Sequence, residues 1–166
     1  MKKVALVVLS WNKFEKTTKL FLDSLYKFTS KDLFDLIWVD NASSDETVDY
    51  VENYAKQRDN INLIKNSENL GYSKGNNIGI KLALQGEYEY IGLLNNDILF
   101  TPNWLETVLD GFTKDDSLGL VSTRPQKRMK LDATNYLEKY NLYIEKLYQL
   151  LKLLNDLYMI CYELFF

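Results

Sequence analysis

Apolar and polar positions alternate in blocks along the first 123 residues, and the blocks differ in kind. Val4 to Leu9 is a continuous apolar run, the pattern of a strand covered on both faces. Phe14 to Phe28 carries Leu20, Leu22, Leu25 and Phe28 at roughly helical spacing, which predicts a helix. Leu33 to Val39 returns to a strand pattern. Ser43 with Glu46 three residues later reads as a capping box, opening a helix from about Glu46 to Arg58. Ile61 to Ile64 is a short strand. The Gly- and Asn-rich stretch Asn66 to Gly79 reads as a loop that passes into a short helix over Ile80-Lys81-Leu82-Ala83-Leu84. Tyr90 to Leu94 is a fourth strand. Thr101-Pro102 supplies an N-cap and a proline at the first helical position of a helix towards Phe112, and Leu118 to Ser122 reads as one more strand. Strands alternating with helices predict an α/β fold, a mostly parallel sheet sandwiched by helices.

The pattern changes after Arg124-Pro125-Gln126-Lys127-Arg128. Leu137, Tyr140, Ile144, Leu147, Leu151, Leu154, Tyr158, Cys161 and Phe165 fall at alternating three- and four-residue steps, a heptad seam that Tyr136, Tyr143, Leu150, Leu157 and Leu164 widen into a broad stripe. We therefore expect two domains, 1–124 and a helical extension over 125–166. So wide a stripe needs a covering. It can dock on this chain's own sheet, form a homodimer or partner interface, or touch a membrane surface; the polar face is not enriched in Lys or Arg, which weighs against the membrane. The ending Leu164-Phe165-Phe166 reads as a domain cut short.

Composition narrows the chemistry. A length of 166 residues is one domain's worth of core, and 46% hydrophobic with 26% charged residues is ordinary for a globular protein. The net charge of -3 argues against nucleic-acid binding. There is one cysteine and no histidine, so intramolecular disulfides, His-based triads and His-rich zinc sites are excluded, and Asp and Glu are left as acid-base and metal groups. Met1-Lys2-Lys3 before an apolar run has the outline of a signal peptide, but the run is short and Trp11-Asn12-Lys13 interrupts it; a buried strand is the expectation, with no membrane-spanning helix. The single Cys161 fits a reducing compartment, so a cytoplasmic location is expected, with the inner face of the membrane as the alternative within it.

Open α/β sheets bind ligands beyond the carboxyl ends of their strands. Four predicted ends carry short polar side chains: Ser10-Trp11-Asn12, Asp40-Asn41-Ala42-Ser43-Ser44-Asp45, Asn66-Ser67-Glu68-Asn69-Leu70-Gly71 and Asn95-Asn96-Asp97. Asp40 can accept from a base N–H or ribose hydroxyls, or it can serve an Asx turn. Asp45 lies in a first helical turn, where an acid is favoured structurally as well. Asp97 is the preferred ligand for Mn²⁺ or Mg²⁺, which commonly take one or two carboxylates with waters and substrate phosphates completing the shell. Lys74, between Gly71 and Gly79, can meet phosphate together with free backbone N–H groups. Neither G-x-G-x-x-G after the first strand nor G-x-x-x-x-G-K-[ST] is present.

In combination these residues resemble a family 2 glycosyltransferase of the GT-A fold, with the flavour of the bacterial rhamnosyltransferase-like group that builds surface polysaccharides. The resemblance rests on Leu9-Ser10-Trp11-Asn12, Val39-Asp40-Asn41-Ala42-Ser43-Ser44-Asp45, Asn66-x-x-Asn69-Leu70-Gly71-Tyr72-Ser73-x-Gly75-Asn76-Asn77-x-Gly79 and Leu93-Leu94-Asn95-Asn96-Asp97, and covers residues 1 to about 123. It implies inverting transfer of a sugar from a nucleoside-diphosphate donor, UDP- or dTDP-linked, to a glycan acceptor. By position Ser10 and Asn12 would flank the nucleotide, Asp40 would hold base or ribose, and Asn76 would line the pocket. Asn95-Asn96-Asp97 would stand at the family's D-x-D element, with Asp97 on the metal and Asn96 near the ribose; Asn95 there replaces an acid. An inverting transfer also needs a general base. In the family that base comes from an acceptor-side half absent from this sequence, so the catalytic residue is unknown and Glu163 is given no role. A nucleotide-sugar-binding module without turnover, acting with a partner chain, is the alternative.

Overall fold

The computed structural model describes residues 4–115 and 117–123. The chain divides into two compact units, residues 1–106 and 107–166. The first contains the entire described sheet, four parallel strands in the order β3-β2-β1-β4. They are β1 Val4–Ser10, β2 Phe34–Asp40, β3 Ile61–Lys65 and β4 Tyr90–Asn95, with helices α1 Thr18–Phe28, α2 Thr47–Ala55 and α3 Gly71–Ala83 between them and α4 Trp104–Lys114 after β4.

The central strands β1 and β2 are apolar on both faces because both faces are covered. Register sets which residues share a face: Ala5, Val7 and Leu9 lie level with Asp35, Ile37 and Val39 on β2, and with Ile91, Leu93 and Asn95 on β4. This first face carries the cluster of Ala5, Val7, Ile37, Val39 and Ala83, with Leu9, Ile64 and Ile80 against it. The opposite face carries Trp38 and Phe34; Phe21 of α1 meets Trp38 edge-on at 5.5 Å and Phe100 at 4.9 Å, which closes a second apolar layer.

Several expectations shift. The first helix is interrupted: a single 3-10 turn at Phe14–Lys16 precedes α1, because Thr17 leaves helical geometry at φ -131°. Ser43 does not cap α2; its hydroxyl is drawn to Asp40, and the first turn is held by Asp45, whose Oδ1 accepts from Thr47 N at 3.1 Å. Pro102 is not the first residue of α4: Asn103 adopts φ +60° and the helix opens at Trp104. Residues 118–122 form no strand, and Leu120 there is 86% exposed.

The largest correction concerns residues 71–79, expected as loop and found as the first nine residues of the 13-residue α3. Two glycines explain why. A Cβ at Gly79 would lie 2.5 Å from Val7 Cγ1 and 3.1 Å from Val39 Cγ2, and one at Gly75 would lie 2.5 Å from Leu9 Cδ1. They are spaced one helical turn apart and let α3 lie directly on β1 and β2. The apolar stripe over 137–165 and the extension over 125–166 lie outside the described residues.

Candidate functional site

The strand order reverses at β1. The chain moves outward from β1 to β2 to β3, then returns to place β4 on the other side of β1. In doubly wound sheets the crevice that takes ligands lies at such a reversal, beyond the carboxyl ends of the flanking strands, here β1 and β4. Ser10 is level with Asp40, and Leu9 with Asn95, so the polar ends of three strands reach the same height.

Ser10 and Asp40 form the floor, and each is 1% exposed. Trp38 Nε1 donates to Ser10 Oγ at 2.8 Å, and Ser10 Oγ donates to Asp40 Oδ1 at 3.0 Å. Ser43 supplies two more donors to the carboxylate, its hydroxyl to Oδ1 at 2.6 Å and its N–H to Oδ2 at 2.8 Å. Ala42, at φ +63°, turns the chain back so that both reach. A buried carboxylate needs this many partners. Asp40 is thereby the anchor of its own loop.

Asn12 binds that loop from the other side. Its N–H donates to Ser43 Oγ at 2.8 Å, and its Oδ1 accepts from Ser44 N at 2.7 Å. Asn12 and Lys13 both take the left-handed conformation, at φ +55° and +64°, which asparagine tolerates better than most residues. One turn on, Phe14 N donates to Asp45 Oδ2 at 2.9 Å. Partial burial would raise the Asp45 pKa, but hydrogen bonds from Thr47 and Phe14 outweigh it and hold the carboxyl below its ordinary value. The paired loops leave Trp11, between Ser10 and Asn12, 55% exposed at the mouth.

Asn41, 2% exposed, ties β2 to the loop after β3. Its Nδ2 donates to Asn69 Oδ1 at 2.7 Å and to the Gly71 carbonyl at 3.3 Å, while its Oδ1 accepts from Asn66 Nδ2 at 3.1 Å and Leu70 N at 3.0 Å. These bonds set the start of α3. Since residues 71–79 are helical, only the first-turn N–H groups lack intrahelical acceptors, and Gly71 N is already bonded to Asn69 Oδ1 at 2.9 Å. Lys74 is exposed on α3, and no hydrogen bond joins it to the other candidates among the described residues. Asn76 is 3% exposed; its Nδ2 donates to the Tyr72 carbonyl at 2.9 Å, and its buried Oδ1 has no partner.

At the end of β4, Asn96 Nδ2 donates to Thr17 Oγ1 at 3.2 Å, joining the turn to the β1–α1 connection. Tyr72 Oη donates to Asn95 Oδ1 at 3.2 Å. Asp97 is exposed. Among the described residues, no three Asp, Glu, Cys or His side chains gather into an ion cage. The oxygens that fit a divalent cation are the Asp97 carboxylate and the Asn96 Oδ1, too few for a shell without phosphate oxygens.

The structure thus brings Ser10, Asn12 and Asp40 into one network, joins Asn96 to the β1–α1 connection through Thr17, and leaves Asp97 and Lys74 exposed. Three residues with a place in this site had no assigned role in the sequence reading: Asn41, Trp11 and Tyr72. The signal for Trp11 was there, since a large ring amid short polar residues at a strand end has no core to enter.

The profile of the family described as Glycosyl transferase family 2 matches residues 5–165. An uncharacterized glycosyltransferase of Methanocaldococcus jannaschii is 29% identical over 103 residues, 62% of this chain and 34% of that protein. Among solved structures, Staphylococcus aureus TarS residues 1–349, also seen with UDP, superposes with a TM-score of 0.60 at 24% identity, over 78% of this chain and 40% of that one. A mannosyltransferase of Pyrobaculum calidifontis, solved with GDP-Man and Mn²⁺, superposes at 0.65 with 22% identity, over 81% and 38%. The architecture is therefore that of GT-A glycosyltransferases, and this chain spans about a third to two-fifths of the relatives' length. Among the described residues no helix is long and apolar enough to cross a membrane.

Proposed function

This chain belongs to glycosyl transferase family 2, and from that premise we propose that it holds a nucleoside-diphosphate sugar in the β1/β4 crevice as the donor side of an inverting transfer to a glycan. The observation that carries the proposal is the pinned loop around Trp11. The buried Ser10–Asp40 floor and the Asn12–Ser43 and Asn12–Ser44 bonds hold the backbone on both sides of Trp11, whose ring is half exposed. An exposed ring on a held backbone suits a nucleobase, because stacking on it leaves the loop nothing further to order. The neighbours' UDP and GDP-mannose support the ligand class; UDP- or dTDP-linked donors are our first choice.

In this reading Ser10 and Asn12 flank the nucleotide, Asp40 lies beneath base and ribose, and Lys74 serves phosphate. The orphaned Oδ1 of Asn76 offers an acceptor to the ligand, and Asn96 lies by the ribose. Mn²⁺ or Mg²⁺ would be held by Asp97 together with the diphosphate, and would neutralise charge on the leaving group. The acceptor hydroxyl attacks the anomeric carbon while a general base, none of the residues assigned here, takes its proton; the bond to the nucleoside diphosphate breaks and the configuration inverts. Glycan assembly in the cytoplasm, as for surface polysaccharides, fits the single cysteine.

Slow, cation-dependent hydrolysis of a sugar nucleotide, followed by release of the diphosphate, tests the proposal. Asp97→Ala should abolish it; hydrolysis indifferent to that substitution refutes the site. A second reading is binding without turnover beside a partner chain: of the two carboxylates assigned to the site, Asp40 is spent on three hydrogen bonds and Asp97 on the cation, which leaves neither as a general base. Calorimetry with UDP, dTDP and GDP plus Mn²⁺ separates the two, because binding without hydrolysis supports the second.

A further inference from the structure

Asn95 and Tyr72 meet across the top of the crevice from different elements. Asn95 ends β4, Tyr72 stands in the first turn of α3, and the phenol donates to Asn95 Oδ1 at 3.2 Å. Tyr72 is 59% exposed, so burial does not explain its position. The bond orients the Asn95 amide. One of the two lone pairs of Oδ1 is taken, and the Nδ2 protons are turned away from Tyr72. An amide held this way presents N–H donors, whereas a cation needs the oxygen.

We infer that Tyr72 governs what the end of β4 offers a ligand: by donating to Asn95 Oδ1 it turns Asn95 Nδ2 towards a phosphate or sugar oxygen and weakens the amide oxygen as a ligand for the cation. Asp97 would then be the one carboxylate at this turn to hold a divalent ion, and its hold on the ion would depend on a bound diphosphate. The inference rests on the crevice being the nucleotide-sugar site, and it assigns Tyr72 the part of tuning cation dependence there. Nothing in the bulk composition gives this away, since it depends on two side chains 23 positions apart.

Mn²⁺ binding, followed by the loss of the free-ion electron paramagnetic resonance signal, tests it without turnover. The proteins are wild type, Tyr72→Phe, Asn95→Asp and the double variant, each with and without UDP or GDP. Wild type should bind Mn²⁺ at least tenfold more tightly when nucleotide is present. Asn95→Asp should bind Mn²⁺ alone about tenfold more tightly than wild type, and adding Tyr72→Phe should tighten that about threefold further, the share of one competing hydrogen bond. If Tyr72→Phe leaves Mn²⁺ affinity unchanged in both backgrounds, or if wild type alone binds Mn²⁺ as tightly as Asn95→Asp does, the inference is overturned. The comparison without nucleotide decides this by itself. Failure of wild type to bind any nucleotide, with or without Mn²⁺, instead defeats the nucleotide-sugar reading of the site.

Discussion

Asn41 Nδ2 donates to Asn69 Oδ1 at 2.7 Å and so fastens the end of β2 to the loop that launches α3. The same side chain bonds Asn66, Leu70 and the Gly71 carbonyl, and alanine would strand all of these groups together. Each net hydrogen bond contributes about 1 kcal/mol, and part of the set is regained from water. Asn41→Ala should therefore lower the unfolding free energy by about 2–4 kcal/mol in urea denaturation. A loss under about 1 kcal/mol would show that α3 is positioned by its glycines alone.

The four strands were legible to within a residue at each end, because continuous apolar runs such as Val4–Leu9 have few alternative explanations. Two of the errors share a cause, that tertiary contacts outbid local chemistry. Ser43 has cap geometry in sequence, yet Asp40 and Asn12 claim its hydroxyl from other elements. Gly71 to Gly79 has loop composition, yet Gly75 and Gly79 are small because Leu9, Val7 and Val39 lie against them. Asp40 was correctly placed at a strand end, but its burial beneath Ser10 and Ser43 depends on a turn through left-handed Ala42 that composition does not announce.

Two glycines of α3 should fail differently when replaced. Gly79→Ala gains helix propensity of up to about 1 kcal/mol but drives a methyl to 2.5 Å from Val7 Cγ1. The overpacking outweighs the gain, and we expect a net loss of about 1–2 kcal/mol. Gly71 has open space around it but sits at φ +75°. Gly71→Ala should cost about 1 kcal/mol, while Gly71→Asn should recover most of it, since asparagine tolerates the left-handed region. Paired urea midpoints check both, and equal losses for Gly71→Ala and Gly71→Asn would remove the conformational explanation.

Asp45 gives the fold an acid-sensitive contact. Partial desolvation would raise its pKa, but hydrogen bonds from Thr47 and Phe14 hold the carboxyl below its ordinary value. A lowered folded pKa means that the contribution is complete above the unfolded value and fades as pH falls through the folded one. Urea midpoints measured from pH 7 down to about pH 3 should fall more steeply for wild type than for Asp45→Asn. Since Phe14 follows the Trp11–Lys13 loop, acid should also raise protease susceptibility in that loop. Parallel midpoint curves for the two proteins would rule out Asp45 as the sensor.

Trp11 should report ligand directly. The chain has three tryptophans. Trp38 is 0% exposed with its Nε1 held by Ser10, and Trp104 Nε1 is held by Thr29 at 2.7 Å, which leaves Trp11 at 55% exposure as the ring a base can reach. Titration with UDP or GDP in the presence of Mn²⁺ should quench emission. Base stacking on an aromatic is worth about 1–3 kcal/mol, so Trp11→Ala should weaken nucleotide binding by roughly five- to hundredfold. Trp11→Phe keeps an aromatic face but removes the reporter, so calorimetric affinity should change little while the quench disappears. A quench that survives in Trp11→Phe, or an affinity unmoved in Trp11→Ala, would place the base elsewhere on the sheet.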